Sequence, residues 1–401
     1  MAVSNADQVR VAGVRLGVAA AGIKRAERDD LVVFELAAGG SVAAVFTRNA
    51  FCAAPVSVAR QHLTAAPRWL LINSGNANAG TGARGLADAR ESCRLLADLV
   101  GAGSDQVLPF STGVIGEYLP LDRVGRALPQ AVASLDEGNW GRAARAIMTT
   151  DTRPKWALRD LEIDGCAVRI AGIAKGAGMI HPDMATMLAF VATDARVDPD
   201  TLQHWLASAV DGSFNCVTVD GDTSTNDACV LLASGCSGAP ALTAGSAGFE
   251  HFRQALGDVC AELAEAIVRD GEGATKLMRI VVEEARDRAE ALAVGKTIAH
   301  SPLVKTAFFA SDPNWGRILA AIGRAGCPNL NIDAVSVMLD DVTIVAGGGR
   351  AATYTEAAGQ TVMARPEITV RVVLGRGDAE ARVLTCDLSY DYVRINAEYR
   401  T

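Results

Sequence analysis

Amphipathic helix stripes alternate with short β-branched runs along this chain, and that alternation constrains its fold more than any other feature. Leu86, Ala89, Cys93, Leu96 and Val100 recur at spacings of three and four with Gly101 just beyond, the pattern of a helix that buries one face and stops at a glycine. Phe249, Phe252, Leu256, Val259, Leu263 and Ile267 form a second stripe. Between and after them lie strand-length runs rich in Val, Ile, Leu and Thr at 168–173, 186–192, 216–219, 278–282, 332–338, 342–345 and 368–374. Ahead of both, residues 31–47 read as two strands joined by a tight turn at Gly39-Gly40. Elements interleaved in this way predict an α/β or α+β layered body. No fixed-period repeat is present, and the Gly, Ala, Ser and Pro-rich stretch 233–248 reads as a surface connection or edge.

Composition removes several classes of function. With 401 residues, half of them apolar and 21% charged, the chain can bury one or two sizeable cores and is not disordered. Its 38 Lys and Arg against 46 Asp and Glu give a net charge of -8, and no basic block is long enough to follow a phosphate backbone, so no nucleic-acid partner is expected. Nine cysteines, an odd number with no C-x-x-C, read as reduced and mostly buried thiols. The apolar patch at 16–23 follows Asp7 and Arg10 and suits neither a signal peptide nor an Arg-rich transit peptide. Apolar runs elsewhere break well short of the roughly 20 residues that a membrane span needs. The expectation is a cytoplasmic protein with no membrane partner.

Single motifs carry little chemistry. Gly80-Thr81-Gly82-Ala83-Arg84-Gly85 has the G-x-G-x-x-G form, but residues 74–79 separate it from the strand-like 69–73, and a pyrophosphate loop needs a turn straight off its strand; a Gly-rich helix entry fits better. Gly295-Lys296-Thr297 lacks the earlier glycine of a phosphate loop, since Glu290 stands five places before it. There is no G-x-S-x-G elbow and no H-E-x-x-H, and the five histidines are dispersed without ligand spacing, so no metal site is expected. His181, beside Pro182, is the tempting general base, although a lone histidine is more often a packing or capping residue. The oxygen-rich stretch 220–227 lacks the alternation and terminal Glu of a calcium loop and reads as a turn or binding loop. In 174–190, Lys175 sits at a Gly-rich bend and Thr186 opens an apolar run, which by itself would be ordinary β-branched filler.

A set of blocks gives that last segment its meaning. Residues 174–190 stand with Asn73-Ser74-Gly75-Asn76-Ala77-Asn78-Ala79, Ser111-Thr112-Gly113-Val114-Ile115-Gly116, Met148-Thr149-Thr150-Asp151-Thr152, Asp270-Gly271-Glu272-Gly273-Ala274-Thr275-Lys276, Ser311-Asp312-Pro313-Asn314-Trp315-Gly316-Arg317 and the final Asn396-Ala397-Glu398-Tyr399-Arg400-Thr401. In content and order they resemble the ornithine acetyltransferase family, also called glutamate N-acetyltransferases, over essentially the whole chain. The resemblance implies an N-terminal-nucleophile-like, self-processing acetyltransferase fold with mixed sheets flanked by helices. It implies a cut between Ala185 and Thr186, giving an α chain of residues 1–185 and a β chain of residues 186–401 that stay intertwined, as an α2β2 assembly.

The implied chemistry follows from residue types. The Thr186 hydroxyl attacks the preceding carbonyl, the acyl group shifts from N to O, and water frees a new N-terminal threonine whose α-amine, with an ordinary pKa of about 7.7–8.0, then serves as its base. By similarity, Thr186 takes acetyl from N2-acetylornithine, releases ornithine and passes acetyl to glutamate, while Thr112 and Gly113 supply the oxyanion hole. Thr152, Lys175, Thr186, Glu272, Asn396 and Thr401 are the implied substrate contacts; Lys175 suits a carboxylate and Glu272 the ornithine side-chain ammonium. No cofactor is implied, and the sequence leaves open whether acetyl-coenzyme A is a second donor. Asp183 stands where many relatives carry Asn, which bears on the speed of scission. Two other readings stay open: an aminopeptidase of related fold that hydrolyses the acyl-enzyme, and an uncleaved regulatory protein that binds an amino acid or nucleotide.

Overall fold

The structure is a computed structural model that describes residues 5–181, 187–243, 245–246 and 248–398. Its strands form three sheets. The first is ordered β1 (Val14–Ala19), β2 (Leu31–Leu36), β4 (Trp69–Asn76) and β5 (Val107–Val114). The second runs β3 (Ser41–Phe46), β9 (Ala228–Ala233), β8 (Leu188–Thr193), β7 (Cys166–Lys175) and β6 (Lys155–Ile163). The third runs β13 (Gly349–Arg350), β12 (Val342–Ala346), β11 (Ser336–Leu339), β14 (Glu367–Val373), β10 (Leu277–Ala285) and β15 (Ala379–Cys386). Each sheet mixes parallel and antiparallel pairs: β4 with β5, β8 with β9 and β10 with β14 are parallel. The expected α/β body with mixed sheets flanked by helices is what the chain forms.

The first two sheets pack face to face. Leu16, Phe34, Ile72 and Phe110 of the first share one buried cluster with Ile173, Phe190, Val230 and Leu232 of the second. Phe190 sits at the centre, its ring 5.5 Å from that of Phe34 and 5.3 Å from that of Phe110. The outer face of the second sheet is covered by the helices Pro199–Gly212 and Phe249–Arg269, and the outer face of the first by Gly82–Val100 and Leu121–Ala133. With helices on one side and a sheet on the other, every residue of β8 and β9 is buried, which explains why both are apolar apart from Thr193. The third sheet has its own core, closed by helices within residues 288–363.

Both amphipathic stripes are helices in the expected places. Gly82–Val100 ends on Gly101 at φ 67°, a left-handed cap that glycine adopts without strain. Residues 216–219, expected as a strand, instead leave a short 3-10 turn at Phe214–Cys216, with only Val217 bridging to Leu384. The run is apolar because it is buried beneath the helix Phe249–Arg269, and burial alone does not supply a strand partner. The 332–338 run begins as the 3-10 turn Ile332–Ala334 before β11. The Gly80–Gly85 segment enters a helix, and Gly295-Lys296-Thr297 lies inside the helix Arg288–Ala299. No helix among the described residues is long and apolar enough to cross a membrane.

Sheet order matters for the site. The strands β6 and β7 precede residue 185 and β8 and β9 follow it, yet the four are hydrogen-bonded neighbours in one sheet. Register sets Lys175, the last residue of β7, opposite Leu188, the first of β8, with Ala228 of β9 on the other side.

Candidate active site

A cavity of about 290 Å³ opens where the ends of β5, β7, β8 and β9 converge. From β5 it takes Thr112 and Gly113, from β7 Lys175, from the start of β8 Leu188 with Met187 before it, and from the approach to β9 the stretch Ser224 to Asp227. Glu272, which follows the helix Phe249–Arg269, and Tyr392 and Asn396 of the C-terminal helix Tyr390–Glu398 close the opposite side.

Gly113 has no substitute in this geometry. Its φ is +134°, and a Cβ there would lie 2.3 Å from the carbonyl carbon of Gly75, its partner in β4. The two glycines let the ends of β4 and β5 approach, and the neighbouring side chains fix them. Ser111 donates its hydroxyl to Asn73 Oδ1 at 2.6 Å, and Asn226 Nδ2 donates to the carbonyls of Ala77 at 2.6 Å and Ser111 at 2.9 Å, crossing from the second sheet to the first. The main chain at Thr112-Gly113 is therefore held rigidly at the cavity wall, a prerequisite for polarising a carbonyl that develops negative charge.

Lys175 is the one cation among the described lining residues, against the acids Asp220, Asp222, Asp227 and Glu272. Burial pushes its ammonium below the ordinary lysine value, and the nearby Asp151 works in the other direction. Asp151 anchors an ion cluster under the site. It accepts from Lys155 Nζ at 2.5 Å and from the Gly176 amide at 2.7 Å, and Lys155 Nζ also donates to Asp270 at 2.6 Å. Burial alone would raise the Asp151 carboxyl; the charges of Lys175 and Lys155 outweigh it and hold the group at about 2.

The acids are not equivalent. Asp220 accepts the amides of Met179 at 2.6 Å and Ile180 at 2.9 Å, although burial still moves its carboxyl upward. Asp227 is only 3% exposed, and its Oδ2 has no hydrogen-bond partner among the described residues. Burial pushes its carboxyl well above the ordinary carboxylate value, against the opposing Ser224 hydrogen bond and Lys175 charge. Glu272 accepts from Asn396 Nδ2 at 2.7 Å, and its own amide donates to the Ala177 carbonyl at 2.8 Å. Gly178 leaves room for it, since a Cβ at that position would fall 2.4 Å from the Glu272 carboxyl.

Of the expected site residues, the structure brings Thr112, Gly113, Lys175, Glu272 and Asn396 to this one cavity. Ala185, Thr186 and Thr401 lie outside the described residues. Thr152 is not on the cavity wall. Its amide donates to Asp270 at 3.0 Å and its hydroxyl to the same carboxylate, because a buried Asp270 needs every donor in reach, while Thr149 and Thr150 line the cavity instead. His181 does not line it either: its Nδ1 faces His300 Nε2 at 3.1 Å, and burial and the His181 charge hold His300 down at about 3. The stretch 220–227, read from sequence only as a turn or binding loop, contributes six lining residues, Asp227 among them, and Tyr392 is a lining residue that no motif pointed to.

Comparison with known proteins is consistent across the chain. The model of the ArgJ family matches residues 15–401. A protein of Methylococcus capsulatus (strain Bath) named arginine biosynthesis bifunctional protein ArgJ is 70% identical over 391 residues, covering 98% of this chain and 96% of that one. Its namesake in Pseudomonas fluorescens (strain Pf0-1) is 54% identical over 392 residues, covering 98% and 97%. Among solved structures, arginine biosynthesis bifunctional protein argJ from Bacillus halodurans is 40% identical with a TM-score of 0.50, over 52% of this chain and 98% of that one.

Proposed function

This chain belongs to the ArgJ family, and from that premise we propose that it transfers acetyl from N2-acetylornithine to glutamate through an acetyl ester on Thr186. It is an acetyltransferase of arginine biosynthesis, and the observation that carries the substrate reading is the charge of the cavity. Among the described lining residues one buried lysine faces four acids, which suits a diamino acid that brings one carboxylate and, on its side chain, one ammonium. Lys175 takes the carboxylate and Glu272, oriented by Asn396, takes the ammonium.

In the first half-reaction the Thr186 oxygen attacks the acetamide carbonyl while the α-amine accepts the hydroxyl proton. The oxyanion collects donors from Thr112 and Gly113, the C–N bond breaks, and ornithine leaves with that proton on its amine. Glutamate then repeats the sequence in reverse, its α-amine attacking the ester and releasing Thr186 as N-acetylglutamate departs. No cofactor takes part; acetyl-coenzyme A is a second donor to the same threonine.

The nucleophile becomes available by a cut between Ala185 and Thr186. Two facts support it. The Bacillus halodurans chain, matched along 98% of its length, accounts for 52% of this chain, close to the 216 of 401 residues that would follow the cut. The sheet also provides for the products, because β6 and β7 of residues 1–185 stay paired with β8 and β9 of residues 186–401. Two such pairs make the α2β2 assembly.

Intact mass spectrometry tests the whole reading. Untagged protein should appear as two chains split after Ala185, with one acetyl gained on the Thr186 chain after brief exposure to N2-acetylornithine without glutamate. Thr186→Ala should leave one uncut and inactive chain. An active Thr186→Ala variant, or an active protein of 401 intact residues, would overturn the assignment.

A further inference from the structure

Glutamate brings two carboxylates to a cavity whose described lining residues include one cation, Lys175. Ornithine and glutamate carry opposite charges at the far end of the side chain, an ammonium on the fifth carbon of one and a carboxylate at the fifth carbon of the other. The glutamate amine attacks from where the departing ornithine amine stood, so the two side chains follow one path, and that path ends at Glu272. The Glu272 carboxyl cannot withdraw. It is 8% exposed, Asn396 holds its Oε2, and Gly178 packs so closely that a Cβ there would fall 2.4 Å away. Asp220 and Asp222 add further negative charge to the lining. A second carboxylate brought to this end is repelled unless a neutral donor meets it.

Most neutral donors of the lining are committed. Asn226 Nδ2 serves the Ala77 and Ser111 carbonyls, the Thr225 hydroxyl donates to Asn226 Oδ1 at 2.6 Å, and Asn396 Nδ2 is shared between Glu272 and the Tyr392 carbonyl at 3.0 Å. Thr149 and Thr150 precede Asp151, whose charge faces Lys175, so their hydroxyls belong with the carboxylate that Lys175 takes. Tyr392 stands on the other wall with Asn396, one helical turn away. Its hydroxyl donates to Asp220 Oδ2 at 3.4 Å, longer than an ordinary O–H···O bond. Asp220 hardly needs it, since that carboxylate already accepts the amides of Met179, Ile180 and Asp222. Burial, with the charges of Asp220, Glu272 and Asp222 behind it, pushes the phenol above its ordinary value, so it keeps its proton and remains a donor.

We propose that Tyr392 lets one cavity take both substrates: its hydroxyl rests on Asp220 while the ornithine ammonium occupies Glu272, and turns to the side-chain carboxylate when glutamate binds. The proposal rests on the acetyltransferase reading, with Lys175 on the α-carboxylate and Glu272 on the ornithine ammonium. A weak, dispensable bond to Asp220 suits this exchange, because giving it up costs little and the hydrogen bond gained is to a charge. The helix that carries Tyr392 buries none of its residues, so a small shift towards either ligand disturbs no core.

The test compares the two half-reactions on one enzyme, since in a ping-pong cycle kcat/KM for each substrate reports only the half in which it takes part. Tyr392→Phe keeps the ring and removes the donor. The ratio of kcat/KM for glutamate to kcat/KM for N2-acetylornithine should fall about tenfold, the usual loss of one hydrogen bond to a charge. Run in reverse, N-acetylglutamate as acetyl donor should lose the same factor against N2-acetylornithine, because the two donors differ only in the side chain that Tyr392 meets. An unchanged ratio, whether nothing is lost or both substrates lose alike, would overturn the proposal and leave the acetyltransferase reading standing. A wild type that passes no acetyl from N2-acetylornithine to glutamate would overturn both.

Discussion

The two walls of the cavity are built differently. The strand wall has Thr112 and Gly113 within the paired strand β5, and Asn226, just before β9, is tied to the opposite sheet by two hydrogen bonds. The helix wall, with Tyr392 and Asn396, belongs to the helix Tyr390–Glu398, which buries none of its residues. That helix is held at its base, where Asp387 accepts the Thr275 and Lys276 amides and Ser389 donates to the Gly273 carbonyl, and at its face by Asn396 on Glu272. Stabilising an oxyanion requires dipoles already in place, which the strand wall provides. Accepting two different amino acids in turn requires a side that can adjust, and a helix with few buried contacts sits at the low-stability end of a structure. Chemistry should therefore depend on the strand wall and recognition on the helix wall.

The sharpest way to break this division is to cut the joint beneath it. Lys155 is only 2% exposed and holds Asp151, which supports the Gly176 bend of the strand side, to Asp270, two residues before Glu272 on the other. Lys155→Met keeps the volume but leaves two buried carboxylates facing each other, and should cost about 3–5 kcal/mol in urea unfolding. A variant as stable as wild type would mean the walls are joined elsewhere. The same cluster sets an acid limit. With Asp151 held at about 2, below its ordinary 3.8, its contribution to stability is complete above about pH 4 and drains away as pH falls towards 2.

Next in size is Gly113→Ala. A methyl there meets the Gly75 carbonyl carbon at 2.3 Å and a φ that alanine disfavours, so the β5 end must move away from its position. Steady-state kinetics should show kcat down by about 10²–10³, the usual loss of one oxyanion donor, with KM for N2-acetylornithine little changed. A rise in KM with kcat preserved would assign recognition, not chemistry, to the strand wall.

How much of this was legible in the sequence follows the same division. The strand wall entered through the block 111–116 and its family likeness, and β8 through the apolar run at 186–192, whereas β9 was not read as a strand. The layered sheets were legible because periodicity reports which face is buried. Residues 216–219 misled because an apolar run records burial without recording a partner, and a strand needs both. Nothing local distinguishes Thr152 from Thr149 and Thr150, and only the return of Asp270 from more than a hundred residues away claims its hydroxyl. Asp227 did not stand out within 220–227 because its character comes from burial and from the distant Lys175, neither of which is local in sequence.

The smallest effect is the one that sharpens the comparison most. Asn396 lines the cavity and orients Glu272, whose Oε2 it meets at 2.7 Å. Asn396→Ala removes one charge-assisted hydrogen bond, about 1.5 kcal/mol, without disturbing a core, since the helix has none of its residues buried. If the helix wall only recognises substrate, KM for N2-acetylornithine should rise about tenfold while kcat stays within about twofold, because ground state and transition state lose the same contact. A kcat loss matching that of Gly113→Ala would show that Glu272 must be fixed for the chemical step. The helix would then be part of the catalytic frame, and the distinction between a rigid chemical wall and an adjustable recognition wall would fail at its more exposed end.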